Sequence, residues 1–179
     1  MFSPERRSNA LRDAYGFANA FTFVHVGRLA AEKGTETILD AYVLAQQALP
    51  SRSIHLVIAG VGPCEDALRA RGTRGVTFLG YLDRRVDLPR LYASFDAFVV
   101  SSLTETSGLV VLEAMSCALP VIATAAGGVA DHRRHGRNGL AYPPPHDASA
   151  MARAMIQLAT DRTLTKTPGQ GARATTEAS

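Results

Sequence analysis

Residues 96–124 read DAFVVSSLTETSGLVVLEAMSCALPVIAT. DAFVVSS (96–102) is a short apolar run and reads as a buried strand. GLVVLEAMSCA (108–118) opens on a glycine and reads as a helix. PVIAT (120–124) is a second strand, with Pro120 at its first position, where the missing N–H is tolerated. Strand, loop, helix and strand in succession make a βαβ unit, and βαβ units build parallel sheets.

The same alternation runs through the rest of the chain. FTFVHV (21–26), SIHLVIAG (53–60) and VTFLG (76–80) read as further strands. Helices are expected over GTETILDAYVLAQQAL (34–49), CEDALRAR (64–71), DLPRLYASF (87–95) and ASAMARAMIQLAT (148–160). In the first of these, Ile38, Ala41, Tyr42, Ala45 and Leu49 fall on one face. Strands of four to eight apolar residues between helices predict an α/β fold, a Rossmann-like parallel sheet with helices on both faces. Residues 1–20 are polar and linker-like, with a short helix expected at Ser8 to Tyr15; residues 21–162 form the domain; residues 163–179 have no periodicity and read as a disordered tail.

In a parallel sheet the C-terminal ends of the strands share one edge, and ligands bind outside it. The segments following the strands here are GRLAAEKG, GVGP, GYLDRR, SSLTETSG and ATAAGG. The first places Arg28 and Lys33 in one loop; two cations at the ligand edge suit a diphosphate, and taken alone they read as a solvated turn. TETSG precedes a helix whose first N–H groups favour an anion. Glu105 there reads either as a helix cap or as a ligand group. Glu113 reads as a surface helix position or, among Val110, Val111, Leu112, Ala114 and Met115, as a carboxylate that needs a partner or a ligand.

GRLAAEKG, LVIAGVGP, VTFLGYL, the glutamate-x7-glutamate stretch with LEAMSCALPVIAT, then AGG and GRNGLAYPP follow one another in order. Together they resemble the C-terminal, donor-binding half of a retaining GT-B glycosyltransferase of family 4, over residues 21–160. The resemblance implies a nucleotide sugar as donor substrate, no cofactor and no metal. Arg28 and Lys33 would hold the donor diphosphate and neutralise the leaving group. Glu113 would accept from ribose hydroxyls, and Glu105 would contact the transferred sugar. The backbone of Ser107, Gly108 and Leu109 would meet sugar and phosphates. Gly27 opens the first loop, and Gly80, Tyr81 and Leu82 would border the base. It also implies an acceptor-binding N-terminal domain as partner, without which the cleft side of this half exposes apolar surface open to self-association.

The sequence departs from the family pattern at Ser107, where an aromatic is usual, at Ala118, where glycine is usual, and at Asp131, where glutamate is common. HRRHGR (132–137) reads as a solvated helix end, with contact to an anionic membrane or acceptor as the alternative. His25 reads as structural.

The 179 residues are 46% hydrophobic and 20% charged, with a net charge of +3: enough for one core, and a mild excess that suits an anionic ligand without pointing to nucleic acid. Cys64 and Cys117 have no metal-like spacing, and no run is apolar enough to span a membrane, so a cytoplasmic location is expected. GVGP lacks the G-x-G-x-x-G spacing, which argues against a dinucleotide oxidoreductase. An epimerase of similar fold fits the EKG loop and LEAM helix less well. A stand-alone nucleotide-sugar-binding module or inactive fragment is the alternative to a transferase half.

Overall fold

The computed structural model describes residues 1–102, 108–124, 139–142, 146–161 and 163. Six strands form one sheet: β1 (Phe21–Val26), β2 (Ile54–Ala59), β3 (Val76–Gly80), β4 (Ala97–Val100), β5 (Val121–Thr124) and β6 (Gly139–Tyr142). All pair in parallel, in the order β3-β2-β1-β4-β5-β6. Five of these strands are the expected ones. β6 is not among them: GLAY is four residues long and lies between charged and proline-rich stretches, so it has no periodicity to read. It becomes a strand because β5 offers it a ladder, from Val121↔Gly139 to Thr124↔Tyr142.

The helices are α1 (Asn9–Ala14), α2 (Thr35–Ala48), α3 (Glu65–Ala70), α4 (Leu88–Ser94), α5 (Leu109–Ser116) and α6 (Ala148–Thr160). α6 is capped by Asp147, whose carboxylate accepts from the Ala150 N–H at 2.9 Å. α2 and α6 cover one face of the sheet. There Ile38, Leu39, Tyr42, Met151 and Met155 pack over Phe23, Leu56 and Ile58. α4 and α5 cover the other face, where Leu91, Tyr92, Val111 and Met115 pack over Val24, Val57 and Phe98. Alternate strand residues thus enter opposite cores, and this is why the strands are mostly apolar on both faces. Each fully buried Leu, Ile or Phe contributes about 1.5–3 kcal/mol of transfer free energy, and a one-residue slip of β1 would send Phe23 and Val24 to each other's faces.

The N-terminal segment is tied down chiefly at Arg12, with Arg7 also reaching Asp96 and Ser8 N–H donating to Ser94 Oγ. Arg12, on α1, is buried and donates to the carbonyls of Ser94 (2.7 Å), Ala20 (2.7 Å) and Phe17 (3.4 Å) and to Asp96 Oδ2 (3.1 Å). A guanidinium with its donors satisfied can be buried without a large penalty. α1 itself starts where expected, with Ser8 accepting from the Leu11 N–H at 3.2 Å. The stretch expected as a disordered tail lies outside the described residues apart from Thr163.

Candidate functional site

The strand order reverses direction of winding between β1 and β4, the point at which open parallel sheets place a ligand crevice outside the strand ends. β1 and β4 are in register only at Phe23↔Ala97 and Val24↔Phe98, whereas β1 and β2 pair at six positions. Beyond Val24 the two strands carry their loops to opposite faces.

On the β2 side of the crevice, Gly27, Arg28, Gly60, Pro63, Tyr81 and Leu82 are among the residues lining a cleft of about 470 Å³. Its floor is backbone packed on backbone. Gly27 N–H donates to Ala59 O (3.0 Å) and Gly60 N–H to Gly80 O (2.7 Å). Gly60 has φ +137°, and a Cβ there would lie 1.8 Å from Gly27 O, so no other residue fits. Gly80 closes β3 at φ +70°, and Tyr81 projects with 74% of its surface exposed. The structure therefore brings together Gly27, Arg28, Tyr81 and Leu82 around this cleft, with Gly80 beside it. A flat aromatic ring fits walls of this kind.

Arg28 is well exposed and stands 4.0 Å from Glu32. Lys33 ends a short 3-10 turn, Ala31–Lys33, which hands over to α2 through Gly34 at φ 63°. Ser101, fully buried at the end of β4, donates to Gly34 O at 2.5 Å and approaches Lys33 O at 3.1 Å.

α5 begins at Gly108, φ 56°, with no side-chain cap. Gly108 O accepts from Val111 N–H (2.8 Å) and Leu112 N–H (2.9 Å). The amides of Leu109 and Val110, at the positive end of the helix, have no partner among the described residues. One turn on, Glu113 is only 4% exposed. Its Oε1 accepts from Arg84 Nε, and its Oε2 is buried with no partner among the described residues. Burial pushes the Glu113 carboxyl above its ordinary value, and the hydrogen bond and charge of Arg84 pull the other way. Glu113 is therefore not a surface helix position, and one of its oxygens is met by Arg84. Glu105 and Ser107 lie outside the described residues, as do Asp131 and HRRHGR.

Two residues at the candidate site were missed in the sequence. Arg84 lies in the GYLDRR loop, where a basic pair at the ligand edge was the available signal. Ser101 carries no signal, since its acceptors are backbone carbonyls 67 and 68 residues away. His25, expected to be structural, is buried, with Nδ1 3.0 Å from Val99 O. Among the described residues no three His, Cys, Asp or Glu side chains gather as a metal site, and no helix is long and apolar enough to cross a membrane.

The chain belongs to the group 1 glycosyltransferases, whose family description, "Glycosyl transferases group 1", matches residues 20–161. It is 33% identical over 159 residues to the alpha-D-kanosaminyltransferase of Streptomyces kanamyceticus, covering 84% of this chain and 40% of that protein. It is 35% identical over 182 aligned positions to the sulfoquinovosyl transferase SQD2 of Arabidopsis thaliana, covering 98% of this chain and 34% of that protein. Among solved structures, Anabaena HepE in complex with UDP and glucose superposes with a TM-score of 0.83 at 29% identity, over 99% of this chain and 50% of that one. The C-terminal domain of the group 1 protein LpcC from Francisella tularensis shares the fold, with a TM-score of 0.82 at 22% identity, over 99% of this chain and 94% of that one. The chain thus has the Rossmann-like, C-terminal half of the GT-B fold. It spans about 34–40% of those two curated relatives.

Proposed function

We propose that this chain is the donor-binding half of a retaining, metal-independent glycosyltransferase of family 4. It holds a nucleoside diphosphate sugar at the β1/β4 crevice and works with a separate acceptor-binding domain. The observation that carries this reading is Glu113: a buried carboxylate at the ligand edge, with one oxygen on Arg84 and the other without a partner among the described residues. A carboxylate in that state is a strong acceptor for sugar hydroxyls. The base lies in the cleft between Gly60 and Tyr81, the diphosphate reaches the open amides of α5, and the ribose hydroxyls meet Glu113. Arg28 and Lys33 stabilise the charge that grows on the departing diphosphate, so catalysis on this side is electrostatic. Glu105 and the backbone of Ser107 contact the transferred sugar. The HepE structures at 28–29% identity, which carry UDP with glucose, UDP, or UDP-glucose, favour a uridine donor here.

The test is calorimetric titration of the chain with UDP, GDP and ADP, repeated on Arg28→Ala and Glu113→Ala. UDP is expected to bind. Loss of the Glu113 acceptor should weaken binding about 10- to 100-fold, the worth of a hydrogen bond to a charged group. Arg28→Ala should weaken it by a smaller factor, because that side chain is well solvated. Failure of all three nucleotides to bind the wild-type chain would refute the donor reading.

A further inference from the structure

The crevice between β1 and β4 raises a mechanical question. The loop carrying Lys33 leads to α2 on one face, and the loop from β4 leads to α5 on the other. Neither helix holds the other, and the main-chain ladder between the strands stops at Val24↔Phe98. Past that point side chains take over. His25 bonds Val99 O from β1, and Ser101 reaches from the end of β4 to the Lys33–Gly34 turn.

The Ser101 contact is built closely. One hydroxyl proton is shared by two carbonyls, with the shorter leg, 2.5 Å, to Gly34 O. Gly34 O also accepts from Thr37 N–H at 3.0 Å, so Ser101 grips the first turn of α2. A Cβ on Gly34 would fall 2.4 Å from Ser101 Oγ and 3.1 Å from the His146 ring. The approach thus requires glycine at 34, and it fixes the backbone on both sides of that peptide. Within the 3-10 turn, Lys33 N–H donates to Ala30 O (2.9 Å) and Gly34 N–H to Ala31 O (3.1 Å).

We propose that Ser101 is a positioning residue for donor binding: its hydroxyl sets the Lys33 turn relative to the β4–α5 side of the site, so that cation and helix start address one diphosphate together. This rests on the donor-site reading above. Ser101 touches no ligand itself and acts through Lys33. Ser101→Ala leaves the β4 core and the Thr37 bond to Gly34 O in place, so the variant folds.

The experiment is a double-mutant cycle on nucleotide affinity, using whichever of UDP, GDP and ADP binds the wild-type chain. The four proteins are wild type, Ser101→Ala, Lys33→Ala and the double variant. Ser101→Ala is expected to weaken binding about fivefold, the equivalent of one net hydrogen bond. In the Lys33→Ala background it should change affinity by less than about twofold, because its effect passes through that side chain. A merely structural role would give equal losses in both backgrounds, and that result would overturn the proposal. So would an unchanged affinity in Ser101→Ala. If none of the three nucleotides binds wild type, the donor reading fails and this inference falls with it.

Discussion

Ala118 is one of two described non-glycine residues at positive φ, 59°. It follows the C-cap Cys117 and completes a Schellman closure of α5. Leu119 N–H reaches back to Ala114 O (3.1 Å) and Ala118 N–H to Met115 O (2.9 Å), with Leu119 buried beneath. These bonds demand a left-handed residue at 118. An L-residue with a Cβ is disfavoured there by about 1–2 kcal/mol. Glycine removes that strain, and its greater freedom in the unfolded chain returns about 0.5–1 kcal/mol of the gain. Ala118→Gly should therefore stabilise the fold by about 0.5–1 kcal/mol. For a chain of this size that raises the melting temperature by about 1–4 °C. Urea unfolding should show a higher midpoint with an unchanged m-value, since the surface exposed on unfolding barely changes. Calorimetry should agree in sign. An unchanged or lower midpoint would refute the argument and would mean that the Ala118 methyl packs well enough to outweigh its backbone strain.

Glu113→Gln tests the charge on α5. A carboxyl whose folded value is raised contributes stability that is complete below its unfolded value and is lost as pH rises through the folded value. The stability of the Gln variant relative to wild type should therefore increase as pH is raised from about 4 toward neutrality, at no more than about 1.4 kcal/mol per pH unit. Parallel melting curves across that range would show that Arg84 cancels the burial completely. Gly60→Ala should cost about 3 kcal/mol or more, because its Cβ would overlap the Gly27 main-chain oxygen at 1.8 Å, which no side-chain rotation relieves. Circular dichroism melts that match wild type would disprove the close packing of the β1 and β2 loops.

The sequence by itself determined the layered fold. Five strands, the helices between them and the buried face of α2 at Ile38, Ala41, Tyr42 and Ala45 were legible, because burial on both faces of a parallel sheet writes apolar runs of fixed length into the chain. It also marked Glu113 as a carboxylate out of place and Ala118 as a residue standing where a helix end prefers glycine. Only the tertiary structure decided what these residues meet. β6 exists because β5 pairs with it, and Arg12, in a segment that looked like a polar linker, is buried because Ser94, Asp96, Phe17 and Ala20 converge on its guanidinium. Arg84 reaches Glu113 from 29 residues away, and Ser101 clasps a turn 67 residues earlier. Local pattern records which face of an element is buried. Hydrogen bonds and ion pairs across the crevice depend on how strands of one sheet are ordered, and that order is fixed by long-range packing.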